Sequence, residues 1–242
     1  MPDIPEPASL GPLPVGMWPF ALVCLTAGAL AVPIHPVATP VSAAVAGLVG
    51  VVGLFTWRWS RLPSAMATNV RAGAGPVEDA ARAMGLGLIV GLLLLAAIRW
   101  VIEPAIPAIG TRMAAAALLP VWRRALIIFV AAVGEETVFR LVLLSLVAGL
   151  TSRLFKSAGR IPTGRTVWVS NGVSALAFAA VHLPSWSGAG PLSPGLALTV
   201  VALNALGGVT FGYLFAKRGI AAAMWAHAGA DCVIQLLGPL TG

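Results

Sequence analysis

The sequence is short of charged side chains: Asp, Glu, Lys and Arg make up 10% of its 242 residues, whereas 59% of the residues are apolar. A water-soluble domain of this length carries about 25% charged residues. So few polar groups could not cover a surface that faces water, which excludes an ordinary soluble domain. The mean hydropathy of +0.95 also indicates a chain too apolar for a soluble domain. The sequence therefore predicts a protein whose surroundings are largely lipid.

Cysteine is also scarce. The chain has only Cys24 and Cys232, each within an apolar stretch at opposite ends of the sequence. The absence of a CxxC pair or a Cys/His cluster excludes a disulfide framework and a structural zinc finger. The net charge of +7 comes from short basic clusters between apolar runs. That pattern is typical of membrane proteins, so we expect no nucleic-acid partner.

Seven apolar stretches are long enough, or nearly so, to cross a bilayer as helices. A span needs about 20 mostly apolar residues and must satisfy its own backbone hydrogen bonds. The predicted spans are residues 17–34, 41–57, 84–102, 125–150, 166–183, 195–215 and 219–238. We predict that residues 113–122 form an interfacial helix before the fourth span. Residues 58–83 are predicted to form the longest polar loop. The predicted fold class is all-α, a polytopic transmembrane helical bundle of about seven spans.

Basic residues are distributed unevenly between the two ends of the predicted bundle. One end, named here the basic face, carries ten of them: Arg58, Arg61, Arg71, Arg82, Arg153, Lys156, Arg160, Arg165, Lys217 and Arg218. The opposite face carries four: Arg99, Arg112, Arg123 and Arg124. Because cytoplasmic loops are enriched in Lys and Arg, the basic face is predicted to be cytoplasmic. The N-terminus is then inside and the C-terminus outside, in an integral, multi-pass protein of the cell membrane.

Three acidic side chains and two histidines lie within the predicted spans, where ionisable groups are least expected. Each such group costs about 2.5–3.5 kcal/mol at the centre of a membrane helix, so it persists where it is paired or useful. They are Glu135, Glu136, His182, His227 and Asp231. Their concentration in the second half of the chain is the main functional signal in the sequence.

The fourth span contains two adjacent glutamates with different surroundings. Glu136 and Arg140 are four residues apart and share a helix face, where a carboxylate and a guanidinium can pair. Glu135 points about 100° away and is left free to act on water. It lies roughly 16 Å along the helix from Arg124, near the bilayer midplane. The alternative interpretation is a structural ion pair that holds helices together.

The fifth and seventh spans supply the two histidines. Ser174, Phe178 and His182 recur every four residues and form one stripe, although a lone histidine near a helix end is more often only hydrogen-bonded at the interface. His227 and Asp231 are also four residues apart, so the carboxylate can fix the tautomer of the ring. A purely structural His–Asp hydrogen bond is the alternative.

These groups together favour hydrolysis within the membrane, and two other functions stay open. Carboxylates and imidazoles from three helices supply a water-activating base, metal ligands and donors for an oxyanion. Buried Glu and His residues also mark ion pathways, so a transporter or proton relay is the first alternative. A non-catalytic immunity or scaffold protein is the second. Asn204, in the sixth span, is interpreted as a helix–helix contact.

Three motifs resemble those of a known family of intramembrane endopeptidases. The motifs in this sequence are Glu135-Glu136-x-x-x-Arg140, Phe178-x-x-x-His182 and His227-x-x-x-Asp231. They are similar to the EExxxR, FxxxH and HxxxN/D motifs of the CAAX protease and bacteriocin-processing (CPBP) family, also called the type II CAAX prenyl protease or ABI family. The resemblance covers about residues 120–240. It implies a catalytic helical core of four spans in residues 113–242, after three N-terminal membrane helices in residues 1–112.

The resemblance implies an endopeptidase that acts on a membrane-associated peptide or protein, with a site in a conical cavity. Glu135 would polarise the attacking water with help from His182. His227 and Asp231 would stabilise the tetrahedral oxyanion. The ion pair between Glu136 and Arg140 would support the site.

The last motif departs from the pattern of prenyl-processing members, which usually have asparagine where Asp231 stands. An ionised carboxylate is a poor oxyanion donor, so Asp231 would have to be protonated, orient His227 or touch a metal. The residue types of Glu135, His182 and His227 suit a divalent metal with an open position for water, zinc first. A metal-free glutamate mechanism is the alternative that the resemblance also allows.

Overall fold

The computed structural model describes residues 17–34, 39–62, 75–187 and 192–241, and every element of regular structure within these ranges is helical. The α-helices are α1 Met17–Ala31, α2 Pro40–Ser60, α3 Pro76–Ala97, α4 Glu103–Ala105, α5 Pro107–Ala117, α6 Val121–Glu136, α7 Ser145–Leu154, α8 Gly164–Ala180, α9 Leu183–Ser187, α10 Pro194–Arg218 and α11 Ile220–Cys232. Wider π turns extend α3, α6 and α11, at Ile98–Ile102, Thr137–Leu144 and Val233–Leu237. The predicted all-α class is confirmed.

All seven predicted spans correspond to helices. Five helical segments are long and apolar enough to cross a membrane: Pro40–Ser60, Val77–Ala105, Gly164–Trp186, Pro194–Arg218 and Ile220–Leu240. The first predicted span is a shorter apolar helix, Trp18–Ala31. The fourth runs through α6, the π turn and α7 as one interrupted helix. The chain is therefore a polytopic integral membrane protein.

Two predicted boundaries were wrong. Residues 58–83 are not one loop, because α2 continues to Ser60 and α3 begins at Pro76. Proline suits the first turn of a helix, and the acidic residues that follow Pro76 suit its positive end. Likewise, the helix expected at 113–122 is Pro107–Ala117, which ends before Pro120. Arg71 lies outside the described residues.

Helices α3 and α11 cross at very short range. Gly87 and Gly91 of α3 face Ala226 and Ala230 of α11, so the two backbones meet without intervening side chains. A Cβ on Gly91 would lie 2.7 Å from the Ala230 carbonyl oxygen, and one on Gly87 would overlap the Ala226 carbonyl. Small residues at this spacing allow membrane helices to pack closely. This crossing fixes the position of α11 and therefore of His227.

A single residue links α10 to α11. Gly219 has φ of 91°, a left-handed conformation that favours glycine, and the chain reverses there. The adjacent Arg218 donates to Asp79 of α3 at 2.6 Å. The turn is thus tied to the beginning of α3 at the basic face.

Helices α8 and α10 are also joined at short range, by a polar and a small-residue contact. Asn171 Nδ2 of α8 donates to the Val209 carbonyl of α10 at 2.9 Å. A Cβ on Gly208 would lie 3.0 Å from Ala175, and one on Gly212 would overlap the Asn171 amide. This contact fixes α8, which leads to His182, against α10.

The main hydrophobic core lies in the half of the bundle next to the basic face. Its members come from the π turn and α7, the end of α10 and the beginning of α11, together with the end of α2. Those fully removed from solvent are Leu141, Leu144, Ala148, Phe215, Ala223 and Ala226, each 0% exposed. We call these six residues the apolar plug.

The α3–α11 crossing generates a stability prediction. Gly87→Ala should destabilise the protein, because overpacking costs about 1–3 kcal/mol and outweighs the gain of about 0.5–1 kcal/mol from removing a helical glycine. The matched control is Gly85→Ala on the same helix, where a Cβ would meet open space. Thermal unfolding in detergent should show a lower midpoint for Gly87→Ala only. Equal midpoints would mean that the crossing does not limit stability.

Candidate active site

Three helices bring one carboxylate and two imidazoles together. Glu135 stands near the end of α6, His182 just after α8, and His227 in the middle of α11. The Glu135 Oε2 atom lies 3.9 Å from His182 Nε2 and 3.8 Å from His227 Nε2. Residues that are up to 92 positions apart in the sequence therefore face one small space.

The two adjacent glutamates differ in burial. The side chain of Glu136 is 0% exposed, and its Oε2 accepts a hydrogen bond from Arg140 Nε at 3.0 Å. The side chain of Glu135 is 33% exposed and lines a cavity. The ion pair expected from the sequence spacing is present. Of the two glutamates, Glu135 is the one that lines the cavity.

The hydrogen-bond partner of His227 differs from the sequence expectation. Asp231 Oδ2 lies 3.7 Å from His227 Nε2, which is too long for a hydrogen bond. Instead, Glu136 Oε1 lies 2.9 Å from His227 Nδ1. The spacing within α11 keeps Asp231 near the ring, but the packing of α6 on α11 brings a closer carboxylate. Sequence spacing within one helix contains no signal for this contact.

The buried Arg140 extends the network to α8. Its NH1 donates to Ser174 Oγ at 3.0 Å, and Ser174 Oγ in turn donates to the Phe139 carbonyl at 2.5 Å. The guanidinium carbon lies 5.3 Å from the centre of the Phe178 ring, within cation–π range. Ser174 and Phe178, which the sequence placed on one stripe with His182, thus hold the arginine in position.

Both imidazole rings have their Nδ1 atoms engaged by oxygen. His182 Nδ1 lies 2.7 Å from the Phe178 carbonyl oxygen, and His227 Nδ1 faces Glu136. In the neutral form each ring therefore carries its proton on Nδ1 and presents the Nε2 lone pair to Glu135. The His227 ring also stacks on Phe211, at 4.8 Å between centroids and 13° between planes. Nothing in the sequence singled out Phe211, since it is one aromatic residue among many in an apolar span.

When both rings are neutral, Glu135 Oε2 and the two Nε2 atoms 3.8–3.9 Å from it are all hydrogen-bond acceptors, and they need a donor or a cation between them. A water molecule about 2.8 Å from each of two acceptors fits between atoms at this separation. Tetrahedral zinc bonds N and O at about 2.0–2.2 Å, which places its ligands about 3.3 Å apart. The residue types suit zinc, but the atoms stand about half an ångström too far apart for it. Over the described ranges, no three His, Cys, Asp or Glu side chains form a group that could hold a metal ion.

The site opens into a cavity of about 340 Å³. Glu135, His182, His227 and Asp231 all line it, whereas most of the remaining lining is apolar and comes from α3, α5, α6, α10 and the end of α11. Asn204 also lines the cavity, and its Nδ2 donates to the Val200 carbonyl of its own helix at 2.8 Å. That hydrogen bond does not join two helices. The interpretation of Asn204 as a helix–helix contact is not supported by this bond.

A comparison with protein families matches this part of the chain. Residues 117–233 match the family described as type II CAAX prenyl endopeptidase Rce1-like. The matched segment contains every ionisable residue of the site: Glu135, Glu136, Arg140, His182, His227 and Asp231. No curated protein and no solved structure matches the chain.

The different surroundings of the two glutamates predict different effects of the same substitution. Glu136→Gln leaves the buried Arg140 without its counter-charge, and breaking a buried pair from one side costs about 3–5 kcal/mol. Glu135→Gln should leave stability nearly unchanged, because the contacts of Glu135 with the two histidines exceed hydrogen-bond length. Thermal unfolding of both variants in the same detergent measures the difference. An equal loss in both would contradict a structural role confined to Glu136.

Proposed function

Since this chain belongs, through residues 117–233, to the type II CAAX prenyl endopeptidase Rce1-like family, we propose that it is an intramembrane endopeptidase. It hydrolyses a peptide bond of a membrane-associated peptide or protein. One observation supports this most directly: Glu135 Oε2 lies within 3.9 Å of both His182 Nε2 and His227 Nε2, at the wall of a cavity inside an apolar bundle. Such a cavity can admit water to a depth from which lipid otherwise excludes it.

In the proposed mechanism Glu135 acts as the general base. A water molecule held between Glu135 and His182 gives a proton to the carboxylate while its oxygen attacks the substrate carbonyl carbon. The carbonyl oxygen becomes an oxyanion. When the tetrahedral intermediate collapses, the C–N bond breaks and Glu135 passes its proton to the leaving amine. The base thereby returns to its starting state.

His227 is proposed to stabilise the oxyanion. In its protonated form the ring donates from Nε2 to the oxyanion, while Glu136 accepts from Nδ1 and stabilises the positive ring. Arg140 keeps Glu136 ionised and fixed in place through the 3.0 Å ion pair. Glu136 and Arg140 are therefore positioning residues, because neither lines the cavity.

Glu135→Gln should abolish cleavage while the protein still inserts and folds. A general base contributes about 10²- to 10⁴-fold to the rate, and glutamine cannot take the proton. The matched control is Glu78→Gln, a half-exposed carboxylate near the basic face. The assay uses a fluorescence-quenched CAAX peptide in detergent or proteoliposomes, with and without a farnesyl group. Undiminished cleavage by Glu135→Gln would exclude the mechanism.

The same experiment separates the competing functions. A transporter or proton relay predicts flux across proteoliposomes, without peptide products. A scaffold or immunity-type protein predicts that Glu135→Gln impairs folding, not catalysis. The comparison of the prenylated with the unmodified peptide determines whether the prenyl chain is recognised.

Asp231 provides a second test of the oxyanion site. Asp231→Asn should retain more activity than Asp231→Ala, because an amide N–H donates to an oxyanion and a methyl group does not. The difference should appear mainly in kcat, since the interaction is strongest in the transition state. If Asp231→Asn is as inactive as Asp231→Ala, the carboxylate itself is required.

Zinc assistance is the second candidate mechanism. The donor types of Glu135, His182 and His227 favour it, as do the oxygen partners of both Nδ1 atoms, an arrangement common among zinc-bound histidines. The 3.8–3.9 Å separations from Glu135 Oε2, wider than the ~3.3 Å of tetrahedral zinc ligands, argue against it. Bound zinc would supply a Lewis acid and a more acidic water. Metal analysis of the purified protein tests this directly: stoichiometric zinc that is lost in His182→Ala would favour it, and its absence from fully active protein would exclude it.

A further inference from the structure

Helix α10 contributes one polar side chain to the wall of the cavity. The described lining residues of α10 recur at a spacing that puts them on one face of the helix: Val200, Leu203, Asn204, Gly207 and Phe211. Apart from Asn204, this face is apolar. A polar amide is costly in an apolar membrane helix, so it persists where it has a partner or a use. Asn204 lies outside the three motifs of the site.

The amide of Asn204 has its nitrogen engaged and its oxygen free. Nδ2 donates to the Val200 carbonyl oxygen at 2.8 Å, one turn earlier on α10. Because a carbonyl oxygen accepts only from a donor such as N–H, this bond also determines which atom of the amide is the oxygen. Oδ1 accepts no hydrogen bond from any residue that the structure describes, and the side chain is only partly buried. Asn204 therefore offers a hydrogen-bond acceptor to a molecule in the cavity.

The other polar side chains of the lining, outside the ionisable residues of the site, are placed differently. Arg112 donates to the Ser185 hydroxyl at 3.2 Å, and Ser185 Oγ donates to the His182 carbonyl oxygen at 2.7 Å. These two side chains are therefore bonded to the protein. Gln235 belongs to the π turn that follows α11. Within the described lining, Asn204 is thus the polar group on the wall that leads along α10 to the site.

Helix geometry gives the distance between Asn204 and the level of the site. Phe211 stacks on His227, at 4.8 Å between ring centroids, and so marks that level on α10. Asn204 precedes Phe211 by seven residues, which corresponds to about 10 Å along a helix. An extended peptide covers about 3.3 Å per residue. Asn204 is therefore about three residues away from a scissile bond that is held at the site.

Gly207 keeps the wall between these two levels open. It lies between Asn204 and Phe211 on the same face, and a Cβ there would lie 3.4 Å from the Phe211 ring. Since Gly207 has no side chain, the main chain of a bound peptide can approach α10 closely at this point. An N–H of that main chain needs an acceptor in an apolar cavity, because a buried N–H without one is destabilising.

From the free acceptor, its distance from the site and the open wall together, we propose that Asn204 is a positioning residue for the substrate. Its Oδ1 accepts a hydrogen bond from a main-chain N–H about three residues from the scissile bond. This contact determines which peptide bond lies next to Glu135. The inference rests on the proposed peptidase function and adds that the substrate is held through its extended main chain.

Two substitutions on α10 separate this role from a structural one. Asn204→Leu keeps the volume of the side chain but removes the acceptor and the bond to Val200. Thr210→Val is the matched control, because Thr210 Oγ1 also donates to the carbonyl four residues earlier, at 2.9 Å, and Thr210 does not line the cavity. Thermal unfolding in detergent checks that both variants fold.

The quenched CAAX peptide gives the first readout. Asn204→Leu should lower kcat/KM about 2- to 10-fold, the usual effect of losing one neutral hydrogen bond. It should also yield products cut at neighbouring bonds, which mass spectrometry detects, because the register is no longer fixed. Thr210→Val should cleave like the parent, at the same bond. An unchanged rate and an unchanged cleavage position in Asn204→Leu would overturn the inference.

Substrate analogues identify the N–H that Asn204 binds. A series of peptides carries a single ester in place of one amide, at successive positions on either side of the scissile bond. One ester, about three residues from that bond, should lower kcat/KM of the parent about 2- to 10-fold and have no effect on Asn204→Leu. If every ester has the same effect in both proteins, Asn204 does not bind the main chain. Cleavage by the parent would still support the proposed function in that case.

Peptide binding supplies a readout that does not require cleavage. In the Glu135→Gln background, Asn204→Leu should weaken binding of the all-amide peptide, measured by fluorescence anisotropy, about 2- to 10-fold. It should leave binding of the sensitive ester peptide unchanged. Equal affinities of the all-amide peptide with and without Asn204→Leu would overturn the inference, whether or not the parent chain cleaves peptides.

Discussion

The site depends on one buried carboxylate, that of Glu136. Its two oxygens are divided between two partners: Oε2 accepts from Arg140 at 3.0 Å, and Oε1 lies 2.9 Å from His227 Nδ1. Through Arg140 the same network reaches Ser174 on α8. A buried charge in a bilayer has little water to replace a lost partner, so the loss of either contact is costly. One side chain therefore fixes the three helices that carry the site, and it leaves Glu135 free of any such bond.

The spacing of residues within one helix explains which contacts could be predicted from the sequence. Residues four positions apart on a helix share a face whatever the tertiary structure, so the Glu136–Arg140 pair and the divergent direction of Glu135 could be predicted from α6 alone. The bond between Glu136 and His227 joins two helices, and no spacing within one helix encodes it. The end of α2 and the beginning of α3 were predicted wrongly for a related reason. Arg58 and Arg82 are charged, as residues of membrane-protein loops often are, but both lie within helices.

The N-terminal helices hold the site in position although they contribute none of its ionisable residues. Gly87 and Gly91 of α3 allow α11 to approach until backbone meets backbone, which fixes the height and rotation of His227. The sequence shows that small residues surround His227, but it does not show which helix packs against them. The predicted division at residue 112 therefore separates only the part of the chain that carries the motifs from the part that does not. The packing in the structure crosses it.

The balance of charge around His227 relates these features to the proposed hydrolysis. Three carboxylates surround the ring, with oxygens of Glu135, Glu136 and Asp231 all within 3.8 Å of a ring nitrogen, while Arg140 is the one fixed cation bonded to this group in the described structure. An excess of negative charge favours a positive ring, and a positive ring is what a developing oxyanion needs. The same excess would repel an anionic intermediate if the ring were neutral. Asparagine in place of Asp231 would reduce the excess, so in the proposed mechanism an aspartate there makes the protonation of His227 a stricter requirement.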